Sequence, residues 1–307
     1  MSVTFSGAFT FSGGGFTATL APPPTPTAGW IAGGTPGYST VQRITFATDT
    51  ATASVRGPLA YSVFEGAGVG TLTDGWFGGG YSGGVSSKIN RITYATDTAT
   101  ATSRGPLSLA KAMGGTGATG NSTYGWFNGG KPPTRSSVDR ITYSNDTTTA
   151  SSRGPLSAAR YGLASVGTED YGWCAAGFTT LVDRIDYAND TATASVRGPL
   201  NAATYNIAGS SDGTTYGWVA GGNPGGSTVQ RITYANDTAT ASIRGQLSVG
   251  RNSMQAVGDS TYGWFTGGNP ITSIVSRITY SNDTAIATTT GPLAQTTYAA
   301  GAASGVQ

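Results

Sequence analysis

The sequence predicts an all-β chain folded as a six-bladed β-propeller of four-stranded blades. Three observations carry that reading: a long period in tryptophan, a second motif of constant length in step with it, and repeats that begin and end out of phase. The tryptophans are Trp30, Trp76, Trp126, Trp173, Trp218 and Trp264, spaced 46, 50, 47, 45 and 46 residues apart. Each follows a glycine, and most precede a glycine pair, as in GWIAGG and GWFNGG, with GWCAAG the variant. A period of this length that holds several short strands marks propeller blades.

The second motif is stricter. Arg43, Arg91, Arg140, Arg184, Arg231 and Arg277 each open an R-I-(T/D)-(Y/F) segment. An aspartate follows six residues later in every repeat: Asp49, Asp97, Asp146, Asp190, Asp237 and Asp283. A second arginine follows thirteen residues later in five repeats, and Thr290 stands there in the sixth. Constant length around a central turn signal predicts a hairpin. With Asn189 and Asp190 at the turn, Tyr187 faces Ala192, Ile185 faces Ala194 and Asp183 faces Val196. Large apolar side chains then meet small ones on one face, while Arg184, Thr193, Ser195 and Arg197 share the other. Asn and Asp suit the turn by tolerating positive φ and by bonding their own backbone.

Each repeat therefore supplies four strands, a to d. In the fourth these are expected near 157–167, 171–177, 182–187 and 191–197. Strand b is apolar on both faces, Trp126 one way and Phe127 the other, as a blade between two neighbours requires. The first repeat starts at strand b, near 29–34. Residues 294–304 read as a spare strand a after the sixth repeat. The C-terminus is thus expected to complete the first blade and close the ring, leaving no unpaired seam. The divisions are 1–21 as a β segment, 22–27 (PPPTPT) as an extended spacer, and 28–307 as the propeller.

Composition narrows the function. Net charge is +2, and charged residues are 10% of the chain. Nucleic-acid binding needs a clustered basic surface, and here most arginines recur at spread repeat positions. Histidine is absent, which removes the commonest general base and metal ligand. The single cysteine, Cys174, replaces the Phe, Val or Ile of other repeats and reads as a small buried hydrophobe. No cofactor is expected. No apolar run is long enough to cross a membrane, and the N-terminus lacks a signal-peptide pattern. The two glutamates, Glu65 and Glu169, form no acid pair in the sequence, so an enzyme is the weakest reading. The six turn aspartates read as turn chemistry rather than as a calcium ring. The two arginine series read as structural, bonding loop carbonyls and neighbouring turns.

In the N-terminal segment Val3, Phe5, Phe9 and Phe11 share one parity, and Phe16 follows a glycine-rich turn. Two short strands are expected. A lone hairpin is marginal and needs a surface to lie against. That surface is either the propeller itself or another subunit.

The pattern from Gly130 to Tyr143, an apolar strand ending in Gly-Gly with a Tyr thirteen residues on, resembles kelch repeats. It departs from them where small residues such as Ala150 replace a tryptophan. The resemblance implies the propeller fold and little about function. The longer string YGWFxGG…RITYxNDTATAS…RGPLS also resembles repeats of virion structural proteins of tailed phages, particularly those of cyanobacteria. That implies a fibre, tail or decoration component located in the virion. It would join other subunits through residues 1–27 and present its propeller to host-surface polysaccharide. The alternative is a free carbohydrate-binding propeller with one site per blade. Binding residues are expected on the b–c loops, which vary in length from six to ten residues while the c–d turn is uniform: Tyr38, Tyr81, Lys88, Lys131, Arg135, Phe178 and Asn223.

Overall fold

The computed structural model describes residues 10–12, 15–17 and 25–305. Six four-stranded antiparallel sheets stand in a ring. The fourth blade runs Leu163–Gly167, Tyr171–Ala176, Val182–Asp186 and Ser195–Val196. The first blade takes its innermost strand, Gly301–Ala303, from the C-terminal end of the chain and pairs it with Ala28–Ala32. The ring is closed as the repeat phase requires. Ahead of it, Thr10–Ser12 pairs with Gly15–Thr17, with Phe11 opposite Phe16. Val3, Phe5 and Phe9 lie outside the described residues.

The c–d register is the expected one, Asp183 opposite Val196 and Arg184 opposite Ser195. The turn itself differs. A short 3-10 helix, Tyr187–Asn189, precedes Asp190, whose φ is −72°. No turn aspartate needs a left-handed backbone, so tolerance of positive φ does not explain the residue. Its contacts do. Asp190 Oδ2 accepts from Trp126 Nε1 of the preceding blade at 2.8 Å and pairs with Arg140 and Arg153 of that same blade at 3.0 and 3.5 Å. The turn aspartate is a joint between blades.

The joint recurs six times. Trp Nε1 reaches the next blade's aspartate at 2.7–2.9 Å, from Trp30–Asp97 round to Trp264–Asp49. The strand-c arginine adds a contact of 2.9–3.2 Å in all six. The tryptophan ring lies flat on the next blade's Tyr or Phe, as Trp126 does on Tyr187 with centroids 3.9 Å apart. Each joint also encloses an apolar cluster drawn from two blades, such as Trp126 and Val138 with Leu163, Ile185 and Ala194. Gly154, from the RGPL segment, donates its N–H to the Asp190 carbonyl at 2.8 Å. A Cβ there would stand 2.0 Å from the Ala192 oxygen, so only glycine lets the blades approach.

Around the axis, six backbone bonds form a closed circuit. Glu65, Met113, Gly162, Asn206, Ser253 and Ala299 each donate N–H to the carbonyl of the one before, Glu65 to Ala299, at 2.6–2.9 Å. Below this ring the inner strands are small-residue segments in near backbone contact. A Cβ on Gly68 would meet the Ala302 oxygen at 2.3 Å. Thr116 of the third blade accepts at its hydroxyl from Gly209 N of the fifth, at 3.1 Å. The axial space that many propellers leave as a channel is spanned by protein.

The closing joint, between the sixth blade and the first, lacks the second arginine because Thr290 occupies its place, with a buried and unpartnered hydroxyl oxygen. Thr290→Arg is expected to raise the unfolding free energy by about 0.5–1 kcal/mol, read by denaturant titration. Arg153→Thr, which removes the same group from an interior joint, is expected to lower it by a similar amount.

Candidate functional site: the b–c loop face

The b–c loops differ from blade to blade and offer a surface on which a ligand could be held. The b–c loops and the d–a connections share one face and are tied by isolated bridges, among them Phe64 to Tyr81, Ala112 to Lys131 and Thr179 to Thr204. The d–a connection carries the axial ring residue, and the residue just before it is aromatic in four blades: Phe64, Tyr161, Tyr205 and Tyr298. All four are half-buried. They form a crown around the closed axis, and the b–c loops pack against it from outside.

Of the seven loop residues singled out by sequence, two meet in one cluster. Phe178 is 51% exposed and stacks on Tyr205 with centroids 3.7 Å apart. It also meets Tyr161 edge-on at 5.0 Å. Lys131 Nζ lies 4.6 Å over the Tyr161 ring from its other neighbour and pairs with Glu65 at 3.1 Å. Asn223 adjoins this run, its N–H donating to the Tyr205 carbonyl at 3.0 Å. The rest are placed apart. Tyr81 stacks on Phe64 at 5.1 Å, and Lys88 lies 4.7 Å over Tyr61. Arg135 donates to the Pro132 carbonyl, and Tyr38 is bound through its backbone to Gly34 and Val63. Glu65, Tyr161 and Tyr205 were not among the expected residues because they sit on d–a connections. The signal for the two tyrosines was present in the sequence, as an aromatic eight residues after the second arginine or its Thr290 counterpart in four repeats.

The run Glu65–Lys131–Tyr161–Phe178–Tyr205 crosses four blades. Phe178 holds φ at 69°, Glu65 at 55° and Asn206 at 54°, left-handed values that non-glycine residues adopt at a cost. Ser253 and Ala299 hold φ at 53° as well, so Glu65 and Asn206 share a feature of the axial ring, and Phe178 alone of the three is particular to this cluster.

Behind the loops, three blades hold the b–c loop with a buried cation. In the third blade Lys111, fully buried, donates to the Phe127 carbonyl at 2.9 Å and pairs with buried Asp139 at 2.9 Å. Burial pushes the Lys111 ammonium down, and Asp139 opposes the shift. In the fourth blade Arg160 donates to the carbonyls of Ala176 and Leu181 and pairs with Asp183. In the sixth, Arg251 donates to the carbonyls of Gly267 and Ile274 at 2.8 and 2.7 Å, but meets only the Ser276 hydroxyl where the others have Asp. Burial lowers the Arg251 guanidinium to about 10.

Burial pushes the Cys174 thiol up to about 12, despite a contact with Ser165, so it is not a thiolate near neutral pH. Among the described residues no three His, Cys, Asp or Glu side chains converge to hold a metal ion. No described helix is long and apolar enough to cross a membrane.

The chain is thus a closed six-bladed β-propeller of four-stranded blades, with aspartate joints and an aromatic crown on its loop face. Its sequence matches no protein-family model and no curated protein.

Since Arg251 is a buried cation without a carboxylate, Ser276→Asp should stabilise the protein by about 1–2 kcal/mol. The third blade already shows the required arrangement, with Ser108 donating to Asp139 as Ser248 bonds Ser276 in the sixth. Thermal unfolding checks this, and a fall in midpoint would contradict it.

Proposed function

We propose that this chain is a non-enzymatic adhesive propeller that contacts surface glycans through the Tyr161–Phe178–Tyr205 cluster. The observation that carries the reading is the exposed Phe178 ring, held at a strained backbone angle and stacked on Tyr205. An aromatic ring kept in water at conformational cost suits a partner with an apolar face and a polar edge. A pyranose has that shape: its C–H face lies on the aromatic rings, and its hydroxyls reach Lys131, Glu65 and Asn223 at the rim. The cluster's one cation is already paired with Glu65, so a neutral sugar fits better than a strongly anionic one.

The particle role is part of the same proposal. It is supported by the resemblance to virion repeats and by a short N-terminal hairpin separated from the propeller by a proline-rich segment. In this reading residues 1–27 dock on another virion subunit, and the loop face points toward the host. A lectin with six equivalent sites is less well supported, since the blades differ: Tyr81 stacks on Phe64 and Phe178 on Tyr205, whereas the third and fifth blades offer Lys131 and Asn223 from their loops.

The test is titration of the full chain with purified cell-surface polysaccharide from its source environment. Saturable binding is expected, weakened at least tenfold by Phe178→Ala and by Tyr205→Ala with little change in thermal midpoint. Binding that survives both substitutions, or none with the native chain, refutes the site.

A further inference from the structure

The loop sockets differ in one informative way. Lys111, Arg160, Arg251, Thr204, Thr297 and Val63 occupy the same position in their blades, as the shared bond from each one's carbonyl to a loop glycine N–H shows: Gly80 to Lys111, Gly130 to Arg160, Gly177 to Thr204, Gly222 to Arg251, Gly268 to Thr297 and Gly34 to Val63. Three blades fill the socket with a cation. The first fills it with Thr297, whose hydroxyl donates to the Gly33 carbonyl at 3.2 Å. The second fills it with Val63.

The fifth blade does neither. Its threonine, Thr204, donates its hydroxyl to the Asn223 carbonyl at 3.4 Å, where Thr297 of the first blade donates to the Gly33 carbonyl. The socket is left as an open pocket of about 210 Å³, lined by Thr204, Gly221, Thr228 and Gln230, with Asn223 and Ile243 at its mouth. Gly221 and Thr228 are the counterparts of Gly267 and Ile274, whose carbonyls hold Arg251. The matching loop bonds are Gly221 N–H to the Thr228 carbonyl and Gly267 N–H to the Ile274 carbonyl. Gln230 is the counterpart of Asp183 and Ser276 in the c-strand register, each next to the strand-c arginine. Gly226 also lines the pocket, and in the matching loop of the first blade (TPGYSTVQR against NPGGSTVQR) that position is Tyr38.

We infer that the fifth-blade pocket is a binding site for an external alkylguanidinium group, which enters where the sibling blades place their own cation. The geometry favours a guanidinium over an ammonium. In the fourth and sixth blades one guanidinium nitrogen bridges two carbonyls while the other turns to the strand-c side chain. A planar fork of donors meets that arrangement. A carboxylate is not required, because the sixth blade holds Arg251 with carbonyls and a hydroxyl alone. The exposed Ile243 at the mouth gives the aliphatic stem of the ligand an apolar wall. The inference does not depend on glycan binding, which uses the neighbouring crown.

The experiment titrates the full chain with two probes and follows backbone amide resonances. Agmatine stands for a free small guanidine, and a capped Gly-Arg-Gly peptide for an arginine on a partner chain. Saturable shifts at Gly221, Thr228 and Gln230 are expected, with roughly millimolar affinity. Thr204→Arg, which supplies the missing cation from within, should abolish them. Gln230→Asp, which copies the fourth blade, should tighten binding about tenfold. Tighter binding of the peptide assigns the site to a protein-borne arginine, and tighter binding of agmatine to a small molecule. Absence of shifts with both probes overturns the inference, as does equal binding of neutral propylurea or binding that persists in Thr204→Arg.

Discussion

One carboxylate oxygen, shared across each joint between blades, is the contact on which the architecture rests. A buried Trp N–H and one or two arginines from one blade converge on an aspartate of the next. Hydrogen bonds to a charged acceptor are worth about 1.5–3 kcal/mol each, and leaving such a group unpaired costs more. Every copy of the repeat must therefore carry both halves of the joint. The donors (Trp, Arg, Arg) face one neighbour, and the acceptor and stacking ring (Asp, Tyr) face the other. This accounts for six near-identical segments of invariant length. A change in the Arg-to-Asp spacing would move the acceptor away from the donors of the preceding blade.

The same contact explains which features could be read in the sequence. Blade number, strand order, c–d register and C-terminal closure all follow from repeat phase and fixed length, and these are local properties of the chain. The aspartate's partner is not local. Trp126 and Asp190 are 64 residues apart, and Trp264 and Asp49 are 215 apart. From sequence, Asn-Asp at a hairpin tip reads as turn chemistry, and only the ring brings the tip to its neighbour. The axial circuit of N–H to carbonyl bonds was hidden for a different reason. Backbone groups make it, so residues as unlike as Glu65, Gly162 and Ala299 serve equally. The candidate site was half legible. Loop variation pointed to Lys131 and Phe178, but Tyr161 and Tyr205 lie on d–a connections that looked like ordinary approaches to strand a.

Closing the axis moves variation outward. The joints and inner strands admit little change, because glycines there sit within 2.0–2.3 Å of a neighbour's backbone once a Cβ is imagined. The loop face is free of that constraint, and its sockets show the result. Each position is filled by a charge pair, a lone cation, a hydroxyl or a valine, or in the fifth blade is left open. The b–c loops are thus anchored separately, blade by blade. One loop can then hold a strained aromatic such as Phe178 while the scaffold beneath it stays the same. A rigid ring with independently anchored loops is a sound basis for binding, since the cost of ordering the loop is met in folding.

The central claim, that charge-assisted bonds across the joints hold the ring together, is tested most directly by a double-mutant cycle between blades. Trp126→Phe, Asp190→Ala and the double variant are compared with the native chain by denaturant unfolding. The account predicts a coupling of at least about 1 kcal/mol between two residues on different blades. Additive effects, with coupling near zero, would contradict it and leave the aspartate as a turn residue after all.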